Sequence, residues 1–106
     1  MKYGLPETTI QKIRGVFACF SEIDKVVLYG SRAKGTYQEG SDIDLTLFGN
    51  ALTPDLRDRI ANALDDLLLP YTIDLSLFDE LDHVKLREHI LRVGVKIYGK
   101  AKQCST

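Results

Sequence analysis

Three aspartates and one glycine-serine pair are the residues of this chain whose types and spacing could do chemistry. Asp42 and Asp44 form a D-x-D pair leading into the stretch IDLTLF, and Asp74 stands in the matching position of a near copy, IDLSLF. Carboxylates that converge on one spot are ligands for hard divalent cations such as Mg2+, which take oxygen donors, keep several waters and bind substrate phosphates. Upstream, Gly30-Ser31 is followed by ten residues and then by Asp42. A glycine turn lets backbone amides approach a phosphate closely, the Ser31 hydroxyl can donate, and Arg32 or Lys34 can supply positive charge.

Each signal is weak when taken singly. A D-x-D is often a solvated strand end, and glycine-serine after a strand is usually only a turn. The segment is no P-loop, because Gly35 is followed by Thr36-Tyr37 where lysine and Ser/Thr are needed, and no G-x-G-x-x-G is present. The third acid at a matched position and the glycine turn at the right place in chain order make the combination informative.

These residues can act together only if the chain brings them together. Strand side chains two apart share a face, so Asp42, Asp44, Thr46 and Phe48 point one way, and Asp74, Ser76 and Phe78 form the matching face of the second copy. Between the copies, Thr53-Pro54-Asp55 reads as a capped helix start, and Leu56, Ile60, Ala63, Leu64, Leu67 and Leu68 line one face until Pro70. A strand-helix-strand connection makes the two copies parallel neighbours, which sets Asp44 and Asp74 at the same end of the sheet. The run Lys25 to Tyr29 is a first strand, joined to the D-x-D strand by a loop over 31–41 and so antiparallel to it. Gly30-Ser31 then lies beside Asp42 and Asp44.

Energy favours a cation in that place. Carboxylates about 7 Å apart on one strand face repel by about 2 kcal/mol at an effective dielectric of about 20. Three such pairs cost a large fraction of the roughly 5 to 15 kcal/mol by which a small domain is stable.

The remaining elements frame this sheet. Ile10, Ile13, Val16, Phe17 and Phe20 recur at helical spacing from Glu7 to Phe20. Asp82 can cap a helix running to Val93, Gly94 suits the position after its end, and Val95 to Tyr98 makes a short last strand. The expected fold class is α/β (α+β), a small mixed sheet packed against helices. Residues 1–98 form a single domain in this reading, with 99–106 a mobile tail.

Composition removes several classes. With 106 residues, 44% hydrophobic and 27% charged, the chain suits one globular domain that buries about two thirds of its unfolded surface. A formal net charge of −1 argues against a broad nucleic-acid-binding face. No apolar run approaches the roughly 18 residues that span a membrane, and MKYGLPETT lacks the apolar core of a signal peptide. Cys19 and Cys104 have no ligand-like spacing and suggest no disulfide, so a cytoplasmic address is expected. His83 and His89, six apart on one helix, read as surface residues, and Tyr37 as an ordinary loop tyrosine.

The order glycine-serine, ten residues, D-x-D and a later strand acid resembles the signature of the DNA polymerase beta-like nucleotidyltransferase superfamily. The stretches GSRAKG and GSDIDL look most like its minimal nucleotidyltransferase (MNT) branch, and the resemblance runs from the first helix to the last strand. It implies a polymerase beta palm-like fold in which Asp42, Asp44 and Asp74 bind two Mg2+ ions about 3.5 to 4 Å apart. It implies ATP or another nucleoside triphosphate as substrate, held by Gly30, Ser31, Arg32 and Lys34, and a nucleoside monophosphate passed to an acceptor hydroxyl as pyrophosphate leaves. Asp74 would serve the metal that activates the acceptor. The resemblance further implies an antitoxin whose partner is a HEPN-domain toxin, with AMP placed on a toxin tyrosine. The rival expectation is a non-catalytic binding module, or a nucleotide sensor, that neutralises its partner by contact.

Overall fold

Alternating hydrophobicity dictates the sheet, and helical periodicity dictates what covers it. The computed structural model describes residues 5–35 and 42–99, with Ser31 and Lys34 described by their backbone alone. Tyr37, the second half of the loop over 31–41 and the tail from Lys100, including Cys104, lie outside the described residues.

The elements run α1 (Glu7–Ala18), β1 (Lys25–Tyr29), the single-turn α2 (Ser31–Lys34), β2 (Ile43–Phe48), α3 (Pro54–Asp65), β3 (Ile73–Leu77), α4 (Val84–Val93) and β4 (Val95–Gly99). A 3-10 turn at Phe78–Glu80 follows β3. The four strands form one sheet in the order β3-β2-β1-β4. The β1–β2 pair is antiparallel and the β2–β3 pair parallel, as the loop lengths require. The two near-identical strands lie side by side in register, Ile43 against Ile73 through Leu47 against Leu77.

Alternation gives the sheet two unlike faces. Val26, Leu28, Ile43, Leu45, Leu47, Leu75 and Leu77 pack into the main core with Ile10, Ile13 and Phe17 of α1 and Ile60 and Leu64 of α3. The other face carries Val27, Tyr29, Asp44, Thr46, Phe48, Asp74 and Ser76. At one end of it, Val27, Phe78 and Ile90 of α4 make a smaller core, where the rings of Phe48 and Phe78 stack at 4.4 Å. Helix α4 covers that end, and among the described residues Asp42 and Asp74 at the other end are exposed.

Four details depart from the sequence reading. The helix expected to reach Pro70 stops at Asp65, and Leu68, counted on its buried face, is 87% exposed with φ of 54°. The chain must reverse there to enter β3, and no glycine is available to take the left-handed conformation. Helix α4 is capped by His83, whose Nδ1 accepts from the Leu86 amide at 3.2 Å, and not by Asp82. Gly94 does follow α4, but with an ordinary φ of −65°. Its role is steric, since a Cβ would strike the Ile90 carbonyl and the Val27 side chain. Gly99, assigned to the tail, closes β4 opposite Lys25.

Candidate functional site

Asp44 is the centre of the site. On β2 it pairs directly with Asp74 of β3 on one side and with Tyr29 of β1 on the other. Adjacent strands lie about 4.8 Å apart, so the two carboxylates are closer than same-strand spacing alone implies. Asp42 stands immediately before β2, exposed, as is Asp74, while Asp44 is half-buried. At about 5 Å the Asp44–Asp74 repulsion lies between about 1 kcal/mol at the dielectric of water and about 3 kcal/mol at 20, and the exposure of Asp74 favours the lower value.

The electrostatic consequence falls on Asp44. Burial, then the charges of Asp74 and Asp42, raise its carboxyl above the ordinary 3.8. All three acids therefore share one field. Among the described residues no three acidic, histidine or cysteine side chains close tightly enough to enclose a metal ion unaided. The donor set nevertheless suits Mg2+. It is all oxygen, it is self-repelling in a way that a cation relieves, and its open side leaves room for the waters and phosphates that Mg2+ retains.

The glycine turn meets the acids through one atom. Gly30 has φ of +81°, and a Cβ on it would collide with Asp44 Oδ2. The residue must be glycine twice over, for its backbone conformation and for the space that the carboxylate fills. Ser31 opens α2 directly after it, so the strand-to-helix turn and the acids are contiguous.

Arg32 goes elsewhere. Only 3% exposed, it lies with its guanidinium 5.3 Å from the centre of the Tyr71 ring, on the side of the sheet that α3 covers. Its charge holds the turn against the body of the protein and is not displayed to solvent. Lys34 lies two residues further along α2.

A layer of neutral polar groups lies beneath the acids. Thr46, fully buried, pairs with Ser76 on the same face. The Thr46 hydroxyl donates to the Ser76 carbonyl at 3.5 Å and the Ser76 hydroxyl to the Leu45 carbonyl at 3.3 Å. Tyr29 completes the layer. Burial lifts its phenol above the ordinary 10.0, a hydrogen bond with Ser76 pulls it down, and Asp44 and Asp74 add to the rise, so it stays neutral at physiological pH. The sequence reading passed over Tyr29, although strand alternation and its place just before Gly30 put it opposite Asp44.

The acid face lies apart from a groove on the other side of the sheet. That groove of about 440 Å3 between α3 and β3 is lined by Leu64, Leu68, Tyr71, Ile73 and Leu75 and includes none of the three carboxylates. Among the described residues Asp65 is the one carboxylate in its lining, so the acid face remains the candidate active site.

A four-stranded mixed sheet with a glycine turn against paired strand acids is the architecture of a nucleotidyltransferase palm. The family model for Polymerase beta, Nucleotidyltransferase, matches residues 11–103, and the chain belongs to that family. Among solved structures, a toxin-antitoxin with AMP-PNP matches with a TM-score of 0.69 at 24% identity, over 91% of this chain and 75% of that one. The toxin-antitoxin MntA-HepT matches at 0.67 and 18% identity, over 90% and 74% of the two chains. A tri-AMPylated Shewanella oneidensis HEPN toxin in complex with MNT antitoxin matches at 0.65 and 19%, over 89% and 72%. These likenesses establish the shared fold. No curated protein matches the sequence, and among the described residues no helix is long and apolar enough to cross a membrane.

Proposed function

We propose that this chain is an MNT-type antitoxin that transfers AMP from ATP to a hydroxyl, a tyrosine, on a HEPN-type toxin partner. The observation that carries the reading is the in-register pairing of Asp44 with Asp74 on parallel strands, with the Asp44 carboxylate against Gly30. Similar folds occur in a toxin-antitoxin with AMP-PNP and in an MNT antitoxin complexed with a tri-AMPylated HEPN toxin, which supports both the nucleotide and the partner.

In this mechanism Asp42 and Asp44 would hold two Mg2+ ions, with Asp74 completing the site on the acceptor side. When bound, the ions would supply positive charge to the triphosphate and to the entering and leaving oxygens. The backbone at Gly30 and Ser31 orients the β- and γ-phosphates, and the left-handed Gly30 brings that backbone up to the acids. Arg32, buried against Tyr71, keeps the turn in place, and Lys34 would supply positive charge for the phosphates. Asp74, exposed, is free to accept the proton of the acceptor hydroxyl as its oxygen bonds to the α-phosphorus and pyrophosphate departs. The open acid face implies that the partner itself closes the cleft and excludes water.

The test uses ATP labelled at the α- or the γ-phosphate, with Mg2+ and a HEPN-type toxin. Stable label on the toxin from α alone supports the proposal. Label from γ alone indicates a kinase, and toxin neutralisation without either label indicates a contact antitoxin.

A further inference from the structure

We infer that Tyr71 is a positioning residue: through the Arg32 guanidinium it pins the glycine turn to the entry of β3, and so fixes the phosphate-binding backbone relative to Asp74. The inference rests on the nucleotide-binding part of the function proposed above and adds to it a residue outside both the acids and the turn.

The turn cannot hold itself in place. Helix α2 is a single turn, Ser31–Lys34, and so short a helix is unstable in water without tertiary contacts. It is flanked by Gly30 and the exposed Gly35, both with φ of +81°. Between them Arg32 is 3% exposed, and Ala33 packs at the margin of the main core. Arg32 is the larger of these two anchors.

Its guanidinium lies over the Tyr71 ring, 5.3 Å from the centre, inside the roughly 6 Å within which a ring face attracts a cation. Tyr71 stands at the approach to β3. The next residue, Thr72, accepts through its carbonyl from the Ile43 amide at 2.8 Å, and Asp74 follows two positions later. Strand β2 lies between β1 and β3, so the contact spans the start of β2, where Ile43 is fully buried. On the core side of the sheet it joins the turn after β1 to the entry of β3, and Asp44 and Asp74 occupy the other face.

Burying a charge is costly. A cation meant to touch phosphate would sit in the open cleft, whereas a guanidinium that fastens the turn belongs where Arg32 is. Its planar, weakly hydrated head suits an aromatic face better than an ammonium does. Strand β3 is the sheet edge, held by β2 alone, so its entry has the most to gain from a second tether.

The experiment treats the full chain with trypsin under native conditions and follows cleavage after Arg32 and after Arg14 by mass spectrometry, for wild type, Tyr71→Phe and Tyr71→Leu. Trypsin must engage the arginine side chain, so a cut after Arg32 reports its release from the ring, and a cut after Arg14 in α1 reports loosening of the whole domain. Tyr71→Leu should speed cleavage after Arg32 by about 10-fold relative to Arg14, and Tyr71→Phe, which keeps the ring, should match wild type. Affinity for a non-hydrolysable ATP analogue with Mg2+ should fall by about 10-fold in Tyr71→Leu and in Arg32→Met, and by no more in the double variant, because each change removes the same contact. Unchanged cleavage after Arg32 in Tyr71→Leu overturns the inference, as do equal acceleration after Arg14, a Tyr71→Phe protein that behaves like Tyr71→Leu, or additive losses in the double variant. If the cleavage pattern holds and wild type binds no analogue, the pin stands and the proposed reaction falls.

Discussion

Replacing Gly30 and Gly35 by alanine, one at a time, separates backbone strain from damage to the site. Both glycines have φ of +81°, so each alanine meets the same left-handed penalty, about 1 to 2 kcal/mol. Only their surroundings differ. A Cβ at Gly35 meets nothing within 4 Å, whereas one at Gly30 runs into Asp44 Oδ2. Crowding of that kind adds about 1 to 3 kcal/mol, which makes Gly30→Ala worse by that amount and Gly35→Ala a matched control. At about 4 to 8 °C per kcal/mol for a domain near 100 residues, calorimetry should find Gly35→Ala lower in Tm by about 4 to 16 °C and Gly30→Ala lower still. The two should diverge further in transfer. Pushing the Asp44 carboxylate aside by about 1 Å costs on the order of 100-fold, while Gly35→Ala should stay close to wild type once corrected for folded fraction. Equal transfer by the two folded variants would refute the claim that Gly30 is glycine to make room for the acid.

Three further outcomes follow from the same geometry. Because the folded chain raises the Asp44 pKa, its contribution to stability is full below 3.8 and is lost as pH rises through the raised folded value. Metal-free urea melts should therefore show that decline in wild type and its loss in Asp44→Asn, and added Mg2+ should restore stability at neutral pH only in wild type. Gly94→Ala should cost about 1 to 3 kcal/mol by overpacking against Ile90 and Val27, although its φ suits alanine, as denaturant midpoints would show. Leu68→Gly should raise stability by about 1 kcal/mol, because an exposed leucine there holds a left-handed backbone.

The site was legible where periodicity did the positioning. A period of two puts Asp44 and Asp74 on the polar side of their strands whatever surrounds them, and the helix between the strands makes them parallel, so their pairing follows from the sequence. The same logic reaches Tyr29 once the antiparallel register is drawn, since it sets that residue opposite Asp44. Arg32 was illegible. Beside a glycine turn it looks like a phosphate ligand, and only the placement of α2 against Tyr71 reveals that it points into the body of the protein. Leu68 shows the limit of counting helical faces. A leucine-rich run continues the pattern past Asp65, while the need to turn back into β3 ends the helix earlier than Pro70 does. His83 took the cap from Asp82 because either side chain can accept from the first turn, and a shift of one residue decides which does.

The most direct test of the central claim counts divalent ions on the protein with a non-hydrolysable ATP analogue, for wild type and for Asp74→Asn. The account predicts two Mn2+ per wild-type complex and one per Asp74→Asn complex, with nucleotide still bound. Equal ion counts in the two proteins would contradict it, since Asp74 would then stand beside Asp44 without sharing its metals.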